Sequence, residues 1–179
     1  MTERNAGIAL DSETLYQQQQ HIIKPSGCTI IAVDLQTPSN IGSIYRLADA
    51  SAATKIIFID KTGRSFSNNK TVARTSRNTC KNVVTEYWDH EKFHADYQSL
   101  PTLIALELTS QAESLFSATL PKECSLLVGS ERYGISDAIL NKCHSAVKIP
   151  MFGNNGSMNV SHALAICLYE WHRQHTAII

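Results

Sequence analysis

The sequence predicts an α/β fold: a mainly parallel sheet with helices on both faces. Three observations predict it. Six short runs, mostly rich in Val, Ile and Leu, are apolar along most of their length, as strands buried on both faces must be. Segments of helical character separate these runs, so strand and helix alternate. Parallel strands joined in this way need right-handed crossovers, which lay helices over both sides of the sheet.

Taken in order, the first 27 residues stand apart. They are polar and glutamine-rich, with a tract at Gln17 to Gln20 and Pro25-Ser26-Gly27 just before the first apolar run. An N-terminal arm over 1–27 is expected, with a surface helix over Asp11 to Ile23 as an alternative to a loose chain. Cys28 to Leu35 is the first expected strand. The helix over Ser39 to Ser51 carries Ile41, Ile44, Leu47 and Ala48 as an inward stripe, which turns Arg46 to another face. Further strands are expected over Lys55 to Asp60, Asn82 to Tyr87, Thr102 to Leu106, Cys124 to Val128 and Ala146 to Ile149. Helices are expected over Lys70 to Arg77, Asp89 to Ser99, Gln111 to Ala118, Ser136 to Lys142 and Asn159 to His175. No Pro/Gly/Ser-rich linker or internal repeat divides 28–179, so these residues are expected to form a single domain.

Composition narrows the function. Of 179 residues, 43% are apolar and 18% charged, enough for a packed core. Sixteen basic residues balance sixteen acidic ones, so attraction to nucleic acid must come from a local patch. One such patch is Lys55, Lys61, Arg64, Lys70, Arg74, Arg77 and Lys81, opposed over that stretch only by Asp60. It is either a solvated face or a phosphate-tracking surface. No apolar run is long enough to span a membrane and no secretory signal is recognisable, so no membrane partner is expected. Five scattered cysteines without a C-x-x-C pair suit free thiols in a reducing cytoplasm.

Two motifs suggest other chemistry. His90-Glu91-Lys92-Phe93-His94 matches H-E-x-x-H, whose imidazoles share a helix face and could hold zinc. Its charged context and the lack of a recognisable downstream ligand pattern leave a zinc hydrolase through His90 and His94 only a remote alternative, and no metal is expected. Gly129 to Gly134 has the spacing of a phosphate loop but lacks the following lysine, which rejects nucleoside triphosphate hydrolysis.

Three segments do not read as packing. Thr37-Pro38-Ser39-Asn40-Ile41-Gly42-Ser43-Ile44-Tyr45-Arg46-Leu47-Ala48 follows the first strand, at the sheet edge where open α/β proteins bind ligands. Leu126-Leu127-Val128-Gly129-Ser130-Glu131-Arg132-Tyr133-Gly134-Ile135-Ser136 runs from a buried strand into a loop with two glycines and a carboxylate able to gather several N–H groups. Ile149-Pro150-Met151-Phe152-Gly153-Asn154-Asn155-Gly156-Ser157-Met158-Asn159-Val160-Ser161 joins the last strand to the closing helix and suits an ordered binding loop. All three lie beside strand ends and point to one composite site.

In this order the segments resemble the three motifs of the SpoU/TrmH group of SPOUT RNA methyltransferases: N-x-G-x-x-x-R, G-x-E-x-x-G-[LI] and I-P-M-x-G-x-x-x-S-[LM]-N-V-S. The likeness spans Thr29 to Trp171. It implies a C-terminal deep trefoil knot, S-adenosylmethionine held within it, and a homodimer whose active site borrows from both subunits. The implied reaction is methyl transfer to a ribose 2′-hydroxyl of RNA. Residues matching the cofactor positions are Leu106, Gly129, Ile149, Met151, Ser157 and Met158. Arg46 matches the catalytic arginine, with Asn40, Glu131, Ser157 and Asn159 as the polar positions around it. Arg46, Arg74 and Arg77 are the expected RNA contacts. The additional N-terminal RNA-binding domain of several ribosomal-RNA members has no counterpart in this sequence, which favours tRNA. A catalytically silent RNA-binding module of the same fold is the principal alternative.

Overall fold

The computed structural model describes residues 9, 11, 27–66 and 68–176. The arm and helix expected within 1–27 therefore lie almost wholly outside the described residues.

Seven strands form one sheet: β1 (Cys28–Val33), β2 (Lys55–Asp60), β3 (Thr85–Asp89), β4 (Thr102–Leu106), β5 (Glu113–Ser114), β6 (Cys124–Val128) and β7 (Ser145–Lys148). Their order is β3-β2-β1-β6-β4-β7-β5, and every pairing is parallel. All the strands therefore deliver their carboxyl ends to one edge. The helices are α1 (Pro38–Ala50), α2 (Lys70–Thr75), α3 (His90–Asp96), α4 (Asp137–Leu140) and α5 (Val160–His175).

The period-2 alternation of a strand divides the core into two layers. On one face, Ile30, Ala32, Ile56, Phe58, Leu126 and Val128 pack with Ile41, Ile44, Tyr45 and Ala48 of α1 and with Leu164, Cys167, Leu168 and Trp171 of α5. On the other, Ile31, Val33, Ile57, Ile59 and Leu127 pack with Phe93 of α3 and Ile139 of α4. Residues 28–33 of β1 and 124–128 of β6 are all buried, which is why these strands read as unbroken apolar runs.

Local expectations are corrected in three places. The third strand lies three residues later at its start than expected, over Thr85–Asp89, because β3 is the sheet's edge and needs no apolar run; Val84 is exposed instead. The helix expected over 111–118 is replaced by the two-residue strand β5 and a turn. Leu115 and Ala118 plug the core from that turn, and the Leu115 N–H donates to the Lys148 carbonyl at 2.8 Å, so tertiary pairing overrides helix propensity. Helix α1 begins at Pro38 with Thr37 before it, one residue earlier than expected, as proline's missing N–H suits a first helical turn.

The H-E-x-x-H residues do not converge on a metal site. His90 Nε2 lies 3.0 Å from Asp34 Oδ1, while His172 and His175, elsewhere in the chain, bond the Ser51 and Leu120 carbonyls. Among the described residues no group of three His, Cys, Asp or Glu side chains is placed to hold a metal ion.

Candidate active site

A cleft of about 430 Å³ opens at the carboxyl ends of β4, β6 and β7. All six residues assigned to the cofactor from the sequence line it: Leu106, Gly129, Ile149, Met151, Ser157 and Met158. Glu131 and Asn159 line it too, whereas Asn40, Arg46, Arg74 and Arg77 do not.

The wall formed by 129–134 is a tight, defined loop. Ser130 and Gly134 exchange two backbone hydrogen bonds, at 3.1 and 3.0 Å. Two glycines make this possible. A Cβ on Gly129 would sit 2.2 Å from the Gly134 carbonyl carbon, and Gly134 holds φ +64° with Glu107 Oε2 where its own Cβ would be. Glu107 in turn accepts the Leu108 and Ile135 N–H groups, each at 2.9 Å, tying the end of β4 to the far side of the loop.

The other tie joins the three motif segments. Glu131 Oε1 accepts Asn40 Nδ2 at 2.8 Å and the Thr37 N–H at 3.1 Å, and Oε2 accepts the Gln36 N–H at 3.2 Å. Asn159 Nδ2 donates to Asn40 Oδ1 at 3.0 Å, and Asn159 Oδ1 accepts the Ser161 N–H at 2.8 Å at the start of α5. The amide orientations follow from the ends of this relay. A backbone N–H must donate at one end and a carboxylate must accept at the other, so each asparagine has one consistent placement. Partial burial pushes the Glu131 carboxyl up, but the Asn40 amide and the converging N–H groups outweigh it and hold it below its ordinary value.

Of the expected catalytic set, Asn40, Glu131 and Asn159 are thus hydrogen-bonded to one another across the three motif segments. Ser157 lies in the cleft wall. Arg46 is exposed on α1, away from the cleft of its own chain. Gly42 abuts Thr75 and Ser76, and α1 packs on both α2 and the turn at 79–81. Arg46 lies one turn along from Gly42, near the α1 face that packs on α2. Sequence reading missed Glu107, whose only signal was the crowding that makes residue 134 glycine.

A curated Staphylococcus epidermidis protein assigned to the TrmH family of tRNA/rRNA methyltransferases is 31% identical over 148 residues, 82% of this chain and 59% of that protein. This chain spans about three-fifths of the length of such curated relatives. The AdoMet-bound rRNA methyltransferase from Sinorhizobium meliloti superposes with TM-score 0.75 at 26% identity, covering 87% of this chain and 60% of that one. A structure solved in a study of 2-OH methylation of C/U34 on tRNA gives TM-score 0.72 at 26% identity, over 86% of this chain and 99% of its own. The sequence profile of the SpoU rRNA Methylase family matches residues 27–169, which contain all three motif segments and every residue of the relay. By that match, the chain belongs to the SpoU rRNA methylase family.

Proposed function

We propose that this chain transfers the methyl group of S-adenosylmethionine to a ribose 2′-hydroxyl of RNA, with tRNA as the substrate. The observation that carries this is the relay Ser161–Asn159–Asn40–Glu131, which joins all three motif segments beside a cleft lined by every residue matched to the cofactor. The cleft's size falls within the range of about 300–1000 Å³ usual for small-molecule sites. The Gly129–Gly134 contact puts backbone rather than side chain in the wall at those two positions. Those features fit a nucleoside-bearing donor. The tRNA preference draws on the protein matched over 99% of its own length whose structure concerns tRNA methylation.

When bound, the donor supplies a methyl group made electrophilic by its sulfonium. The protein must then orient a poor nucleophile and offset the negative charge developing on it. Arg46 suits that task as a fork onto the neighbouring phosphate that also stabilises the emerging alkoxide. A guanidinium is protonated throughout, so the proton leaves through phosphate or water rather than to Arg46. Because Arg46 lies outside its own chain's cleft, the reading requires a homodimer in which the partner chain presents Arg46 to that cleft. Exposed Leu108, Phe116, Phe152 and Tyr169, around the cleft's outer loops and α5, supply apolar surface for such pairing.

The reading extends to a C-terminal trefoil knot. Supporting it, β6 is inserted between β1 and β4, and the chain returns after β7 to pack α5 on α1 and β4. On this reading residues 28–179 carry the enzymatic domain, and five cysteines that form no disulfide suit the cytoplasm.

Incubating the protein with methyl-labelled S-adenosylmethionine and unmodified tRNA and rRNA, then digesting to nucleosides, tests the reading. Label on the ribose of a tRNA nucleoside is expected; label on a base, or none, refutes it. Co-expressed Arg46→Ala and Gly129→Ala chains should regain activity that neither has alone, since one cleft then meets an intact arginine.

A further inference from the structure

A second cleft, of about 520 Å³, lies at the same sheet edge but at the carboxyl ends of β1 and β2. Ser130, Tyr133 and Gly134 line both clefts, so the 129–134 loop is a shared wall. The Tyr133 ring stands on that wall 74% exposed, although its loop is pinned by the backbone bridge and by a Tyr133 N–H bond to Ser130 Oγ at 3.1 Å. A large aromatic held outward by a rigid loop is a stacking platform rather than a core residue. Arg132 lies over the ring, with its guanidinium carbon 5.3 Å from the centroid.

The floor of this cleft has its carboxylates already engaged. Asp60 accepts the Thr62 N–H at 2.7 Å and pairs with Arg64 Nε at 3.1 Å; Asp34 pairs with His90. Lys61 makes no ion pair among the described residues and is exposed at the rim. An aromatic ring on a pinned loop and an exposed ammonium with no ion pair among the described residues line one cavity beside the first cleft, and they match a base and its phosphate.

We infer that the second cleft binds the nucleoside next to the one methylated, its base stacked on Tyr133 and its phosphate on Lys61. This rests on RNA being the substrate, as proposed above. Stacking on an aromatic tolerates any base, so the cleft contributes affinity and register more than sequence choice.

The test uses the full chain and a fluorescent RNA transcript that the wild-type protein methylates. RNA affinity is measured across salt concentrations, and S-adenosylmethionine affinity by calorimetry. Tyr133→Ala should weaken RNA binding about tenfold, and Tyr133→Trp should restore it. Lys61→Ala should reduce the slope of log affinity against log salt by about 0.7. Donor affinity should stay unchanged in Lys61→Ala. The inference is overturned if Tyr133→Ala and Lys61→Ala bind RNA like wild type, or if the Tyr133→Ala loss falls on the donor alone. A wild-type protein that methylates no RNA instead overturns the proposed function itself, and this inference with it.

Discussion

Replacing Glu131 by Gln isolates the relay from the shape of the side chain. The carboxylate receives three donors: Asn40 Nδ2 at 2.8 Å and Thr37 N at 3.1 Å on Oε1, and Gln36 N at 3.2 Å on Oε2. Glutamine keeps one acceptor oxygen and turns the other position into an NH₂ that faces an N–H. At least one hydrogen bond to a charged acceptor is lost, nominally about 1.5–3 kcal/mol. Glu131 is partly solvated, so water recovers some of this and a net loss of about 1–2 kcal/mol is expected. For a chain of this length that lowers Tm by about 2–8 °C. The same energy, appearing as local opening, speeds hydrogen exchange at the Gln36 and Thr37 amides about 5- to 30-fold. Calorimetric unfolding and amide exchange by mass spectrometry read the two effects. An additional Asn40→Ala should then cost less than it does in the wild-type background, because the two residues share one network. Unchanged Tm together with unchanged exchange at 36–37 would refute the assignment of Glu131 as the tie between the motif segments.

Three further outcomes are expected. Gly134→Ala forces a Cβ onto Glu107 Oε2 at a residue held at φ +64°, so it should destabilise by about 2–4 kcal/mol and disturb both clefts; Gly134→Ala with wild-type melting would contradict the wall's geometry. Glu170 is held at about 2 by Arg173 and Gln174, below its ordinary 4.5, so its stabilisation is fully present above pH 4.5 and is lost as pH falls toward 2. Glu170→Gln should therefore flatten the stability profile across that window, and an unchanged profile would count against the ion pair. Thiol titration of the native protein should find Cys28, Cys124 and Cys167 protected, since all three are fully buried and burial pushes the Cys167 thiol up to about 12; rapid labelling of all five would show that the core opens.

How much was legible in the sequence depended on what shaped each residue. β1 and β6 were readable because a central parallel strand must be apolar on both faces. β3 was displaced because an edge strand such as Thr85–Asp89 carries charge and aromatics without an alternating pattern. Residues 111–118 have helical composition, yet pairing of Leu115 with Lys148 and burial of its side chain decide their form, and those partners lie more than thirty residues away. In the site, glycine spacing and the flanking strands pointed to segments whose residues line one cleft. The roles of Asn40, Glu131 and Asn159 could not be separated, because hydrogen bonding to each other and contact with a substrate demand the same residue types. Arg46 was legible as a residue but not as a location: a helix face says which side is exposed, not whether it lines a cleft.

The account stands most directly on whether the cleft built by 106, 129–134 and 149–159 receives the methyl donor. Calorimetric titration with S-adenosylmethionine should give one site per chain for the wild-type protein, and no detectable binding for folded Gly129→Ala, whose Cβ would meet backbone 2.2 Å away. A wild-type protein that takes up no donor, or a Gly129→Ala protein that binds it with unaltered affinity, would contradict the account.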